Sequence, residues 1–174
     1  MQTGTNIDRL VSVYRAAKRS GRILYEDDYT ALIASAAGGS IPRPDVFPDV
    51  FVFTPRYVSG RKRDMFLEFE NRRGTNKIVS GKKFVMIVRP SMLGYMEKLH
   101  AKMSLNGATL VYSNWVGYKD EPQTAAFLAR SSDMFMGEVD LHTSGHASSD
   151  EIGVLKQAVA ASEYVVVHTE ANKT

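Results

Sequence analysis

Cysteine is missing from this 174-residue chain, which excludes disulfides, thiolate metal sites and cysteine nucleophiles together. Histidine is scarce: there are four, His100, His142, His146 and His168, and no two are separated by a single residue. Any metal must therefore rely on those imidazoles and on carboxylates. No stretch approaches the roughly 18 uninterrupted apolar residues that a membrane-spanning helix needs, and the opening MQTGTNIDRL has no basic leader ahead of an apolar run. A membrane partner is not expected, and a cytoplasmic location is. Internal repeats and low-complexity segments are also lacking.

What is present is an ordinary globular composition, 44% hydrophobic and 24% charged, enough for one domain or one domain plus part of a second. The net charge of +3 is small, but it is unevenly distributed. From Arg56 to Lys83 nine basic residues stand against three acidic ones, whereas from Ser132 onward seven acidic residues stand against Lys156 and Lys173. The basic run suits a nucleic-acid backbone, and it equally suits a solvated, charge-rich helix.

Ile7, Leu10, Tyr14 and Ala17 keep a helical period, with Thr5 or Asn6 to cap the start and Gly21 to close the end. Arg22 to Tyr25 reads as a strand running into Glu26-Asp27-Asp28, and Tyr29 to Ala37 as a helix. The three prolines between Ile41 and Asp49 predict an extended connection. Val50 to Thr54 and Phe84 to Val88 read as strands, Arg61 to Arg73 as an exposed helix, and Ser91 as the cap of a helix carrying Leu93, Met96, Leu99 and Met103. Further on come a strand (109–112), a helix (121–130), a strand (136–141), a helix (149–160) and a last strand (164–167). This alternation predicts an α/β fold with a mostly parallel sheet and helices on both faces. Ligands of such sheets gather where strands end and helices begin, which singles out residues 26–29, 89–91, 113–118 and 143–149.

Two stretches carry candidate chemistry. In Leu141-His142-Thr143-Ser144-Gly145-His146-Ala147-Ser148-Ser149, Gly145 permits close backbone approach, Ser144 and Ser148 offer hydroxyls to a phosphate, and His146 could exchange a proton with a reacting oxygen. The same residues also read as a capped helix start with a histidine beside it. In Val165-Val166-Val167-His168-Thr169-Glu170 a histidine follows an apolar strand, a usual place for a metal ligand and a common one for a structural histidine. Trp115 and Tyr118 could stack on bases or pack between lobes.

Together these stretches resemble the β-CASP branch of the metallo-β-lactamase superfamily, the group that includes ribonuclease J. His146 matches that branch's motif B and His168 its motif C. Thr5-Asn6-Ile7-Asp8-Arg9, Tyr14-Arg15-Ala16-Ala17 and Gly21-Arg22 look like the opening of its inserted domain, and Tyr112-Ser113-Asn114-Trp115-Val116-Gly117-Tyr118 like a later loop. The resemblance implies a β-CASP domain over residues 1–131 and a strand-helix-strand piece of the lactamase lobe over 132–174. It implies zinc in the complete protein with His168 as a ligand, His146 assisting the leaving group, Ser144, Gly145 and Ser148 contacting phosphate, and RNA as substrate; His142, just before them, reads either as a further phosphate contact or as a structural histidine.

The His-x-His-x-Asp-His motif of the family is not in this sequence. The implied function is thus the substrate-clamping part of a zinc-dependent phosphodiester hydrolase, inactive by itself and partnered by the missing lobe. Self-association is a further expectation for strands left without neighbours. The alternatives are a stand-alone nucleic-acid-binding module and a metallo-hydrolase of a small substrate.

Overall fold

The computed structural model describes residues 1–53, 68–74, 81–142 and 149–165. The chain forms two compact units, Met1–His142 and Thr143–Thr174.

The first unit opens with α1 (Ile7–Arg19), started by the Asn6 side chain accepting from the Arg9 amide at 3.0 Å. Its period buries Leu10, Tyr14 and Ala17, and Gly21, at φ 65°, turns the chain into β1 (Ile23–Asp27). β1 is the middle of a parallel sheet ordered β2 (Val50–Phe53), β1, β3 (Phe84–Met86), with Tyr25 opposite both Phe51 and Met86. α2 (Asp28–Ala37) follows β1 directly. After β3 come a 3-10 turn (Pro90–Met92), α3 (Leu93–Met103), β4 (Thr109–Tyr112), a second 3-10 turn (Val116–Asp120), α4 (Pro122–Met134) and β5 (Gly137–Asp140). β4 and β5 pair in parallel, Val111 opposite Val139. The α/β character and the parallel pairing agree with the sequence expectation, but among the described residues the strands form two sheets instead of one.

Alternation along β1 builds two apolar layers. Leu24 and Val50 pack with Leu10 and Tyr14 of α1 and Ala34 of α2. Ile23, Tyr25 and Phe53 pack with Met96 and Leu99 of α3, Phe127 and Met134 of α4, and Leu110 and Tyr112 of β4. The sheet is therefore covered on both faces, as parallel sheets require, and every residue of β1 is buried. Met1 adds itself to the other edge of β4: its amine donates to the Val111 carbonyl, and Ser113 N–H donates to the Met1 carbonyl at 2.9 Å.

Four local expectations need correction. Ser91 caps no helix; it is exposed in the turn Pro90–Met92, and α3 starts at Leu93 without a side-chain cap. Of the expected helix over 61–73, residues 61–67 lie outside the described residues. The remainder is a 3-10 turn (Glu70–Arg72) beside a fully buried Phe69, which fills the space between Ala31 and Val52. The acidic triplet does not form a loop: Glu26 and Asp27 are the last residues of β1 and Asp28 the first of α2. In the second unit α5 (Ser149–Val159) forms as expected, but Tyr164 and Val165 are not strand. The Tyr164 hydroxyl instead accepts from Ala161 N–H at 3.0 Å and donates to the Lys156 carbonyl at 2.6 Å. Val166 and Val167 lie outside the described residues.

Candidate functional site

The N-terminal residues touch the carboxyl ends of both sheets. Gly4 sits against the start of α2, where a Cβ would stand 2.9 Å from the Tyr29 ring, while Met1 is already paired with β4. Arg9, near the start of α1, donates to the carbonyl and hydroxyl of Ser113 just past β4, and reaches the Leu141 carbonyl past β5 at 3.5 Å. Ser113 in turn donates its hydroxyl to the Leu141 carbonyl. The backbone that enters His142 is thus fixed from two sides.

At the end of β1, Asp27 performs two tasks. One oxygen accepts from Thr30 N–H at 2.7 Å and caps α2, as a carboxylate at a helix start should. The other is ion-paired with the Arg89 guanidinium. Arg89 also lies over the Tyr29 ring, 5.1 Å from its centroid, a cation–π distance. The Arg89 side chain is 33% exposed and Tyr29 is 44% exposed, so a cation and an aromatic face stand together at the surface. Beside them Glu26 is fully buried, and neither carboxylate oxygen has a hydrogen-bond partner. Burial first, and the charge of Asp27 second, push its pKa up to about 9; it is a neutral acid near pH 7.

The loop after β4 presents a second aromatic pair. Trp115 and Tyr118 meet edge to face, 5.4 Å between centroids, and Trp115 is 47% exposed. The Tyr112 hydroxyl donates to the Trp115 carbonyl at 3.1 Å. Gly117 is required here, since a Cβ would lie 2.2 Å from the Trp115 ring. The surroundings are acidic. Lys119 is tied to Glu138 at 2.9 Å and to Asp140 at 2.7 Å, bonds that raise its pKa, and Asp120 and Glu121 follow it in sequence.

Among the sequence candidates, His142 is exposed at the end of β5. Ser144, Gly145, His146, Ser148 and His168 lie outside the described residues. His100, which had no assigned role, ends α3: its Nδ1 accepts from Leu105 N–H at 3.0 Å. Of the basic run, Arg56, Arg61, Lys62, Arg63 and Lys77 lie outside the described residues, Lys82 and Lys83 are exposed, and Arg72 is held by three backbone carbonyls. Among the described residues no three His, Asp or Glu side chains converge as a metal site needs, so the described part of the chain does not fit a zinc ion.

The Asp27–Arg89–Tyr29 cluster went unrecognised in the sequence, although two of the four singled-out loops contain it. The missing information was strand adjacency: the Tyr25–Met86 pairing brings residue 27 close to residue 89, and nothing local in the chain states which strands pair. Comparison with protein-family models, with curated proteins and with solved structures gives no match.

Proposed function

We propose that this chain is the substrate-clamping, β-CASP-like part of a metal-dependent phosphodiester hydrolase acting on RNA. The observation that carries the reading is that aromatic and basic side chains at least partly exposed, Tyr29, Arg89, Trp115 and His142, follow directly after the carboxyl ends of parallel strands, the usual ligand edge of such sheets. It is supported by the sequence resemblance at His146 and His168. On this reading residues 1–131 and 132–174 derive from the inserted domain and the lactamase lobe respectively, with zinc held chiefly by that lobe and supplying the attacking hydroxide. His168 would contribute one ligand. This chain's own contribution is binding and orientation: cations neutralise the phosphate backbone, aromatic faces hold bases, and the segment through Ser144, Gly145, His146 and Ser148 meets the scissile phosphate.

The test is a titration of the whole chain with a labelled single-stranded RNA, read by anisotropy and by the fluorescence of Trp115, the only tryptophan. Binding that weakens linearly in log salt is expected, without cleavage when zinc is added. Absence of binding at low salt would remove the reading, and zinc-dependent cleavage lost in His168→Ala would overturn the assignment of the main metal site to another lobe.

A further inference from the structure

Resting on that reading, we propose that Arg89 is a phosphate-binding residue of the first unit, with Asp27 as the positioning residue that aims it and Tyr29 as an adjoining face for a base or sugar.

The first argument is pre-organisation. A free arginine side chain carries about 2 kcal/mol of rotamer entropy, much of it lost on binding. Arg89 is already fixed, by an ion pair on one side and an aromatic ring beneath. Asp27 is itself immobile, since it is buried and caps α2. The second argument is capacity. A guanidinium has five N–H donors; Asp27 engages Nη2 and Nε is buried, so the Nη1 donors are the ones left for an anion arriving on the exposed side. The third is the condition of four other cations, Arg9, Arg72, Arg130 and Lys119. Arg72 donates to the carbonyls of Phe47, Pro48 and Val50, Arg9 is bound to Ser113 and Leu141, and Lys119 and Arg130 each bridge two carboxylates. Arg89 instead faces one carboxylate, next to an exposed aromatic ring. The acidic setting of Trp115 makes that ring the less favourable place for a phosphate, which separates the two aromatic positions by charge. Asp27 shares the guanidinium with any arriving anion, so single-phosphate affinity is expected to be modest and to grow along a polynucleotide.

The experiment compares the whole chain with Arg89→Gln, Arg89→Lys, Asp27→Asn and Tyr29→Ala, using the same single-stranded RNA over a range of salt. Loss of one phosphate contact predicts that Arg89→Gln weakens binding about tenfold and reduces the slope of log K against log salt by about 0.7. Arg89→Lys should keep the slope but not the affinity, because the fork is lost. Asp27→Asn retains the helix cap and the arginine charge, so affinity should fall with the slope unchanged, a pattern that simple loss of folding would not give. Tyr29→Ala should lower affinity at constant slope. If Arg89→Gln does not fold because Asp27 is left as an unpaired charge, the double variant Asp27→Asn/Arg89→Gln takes its place. Wild-type affinity and slope in the folded variant overturn the proposal while leaving the RNA-binding reading intact. If the wild-type chain binds no RNA, titration with pyrophosphate decides: binding abolished by Arg89→Gln sustains the site, and binding that is absent or indifferent to Arg89 ends it.

Discussion

At the scale of single residues, two buried ionisable groups pull stability in opposite directions with pH. Glu26 ionises near 4.5 in an unfolded chain but near 9 in the fold. Between those values the folded state holds one more proton than the unfolded one, so this contribution is full below pH 4.5 and is lost as pH rises through about 9. The Met1 amine is lowered, chiefly by burial, from 8.0 to about 5; its contribution is present above pH 8 and lost as pH falls to about 5. Glu26 spans the wider window. Glu26→Gln keeps the size of the neutral acid and removes the titration, so urea unfolding should show a gain of about 2 to 3 kcal/mol near neutral pH and little change near pH 4.5. A loss near neutral pH would mean that Glu26 is charged and partnered in the fold. Gly117 tests the other residue-scale constraint. Adding a methyl group there, 2.2 Å from the indole, must displace Trp115, so Gly117→Ala should shift the emission of the single tryptophan while far-ultraviolet circular dichroism stays unchanged.

At the scale of elements, Arg72 joins the 3-10 turn after Phe69 to the sheet. Its Nη2 donates to three carbonyls at 3.0, 2.8 and 3.0 Å, and its guanidinium stacks on Phe51 at 4.6 Å. Arg72→Ala leaves those carbonyls without their donor and should cost about 2 to 4 kcal/mol by chemical denaturation; Arg72→Lys, with a point charge in place of the planar fork, should recover less than half. Recovery by lysine would mean that charge alone holds the turn. Arg72 also marks where legibility in the sequence ended. α1, β1, β2, β4 and α5 were readable because their apolar periods run uninterrupted between good stop signals. The stretch around Arg72 was not, because a row of charges with Phe66 and Phe69 among them fits a surface helix, and only the space under α2 dictates that Phe69 turns inward. Ser91 misled for a related reason: Pro90 tightens the chain into a 3-10 turn before the helix proper begins. Within the candidate site, His142 and the strand-end loops were legible locally. The Asp27–Arg89 pair depends on which strands are neighbours, which local periodicity does not encode.

At the scale of the molecule, protection is concentrated in the middle of the three-stranded sheet. β1 is hydrogen-bonded on both sides and buried at every residue, so its amides should exchange only when the unit opens as a whole. Among the described residues β5 is paired only with β4, and each of its four residues is exposed. α5 has 11 residues, none of them buried, and helices shorter than about 12 to 15 residues are marginal in water without packing. Among the contacts that hold α5 are the Tyr164 hydroxyl, which links Lys156 and Ala161, and the Lys156 ammonium over the Tyr164 ring at 5.3 Å. Hydrogen exchange should therefore rank Leu24 to Asp27 above Val139 and Asp140, and these above Ile152 to Val159, with at least about a hundredfold between the first group and the last. Tyr164→Phe should lower protection around Lys156 further while leaving β1 unchanged. Equal protection of α5 and β1 would require the apolar side chains Ile152, Leu155 and Val159 to be covered in solution, and repeating the measurement over a range of protein concentration would then show whether a second copy of the chain covers them.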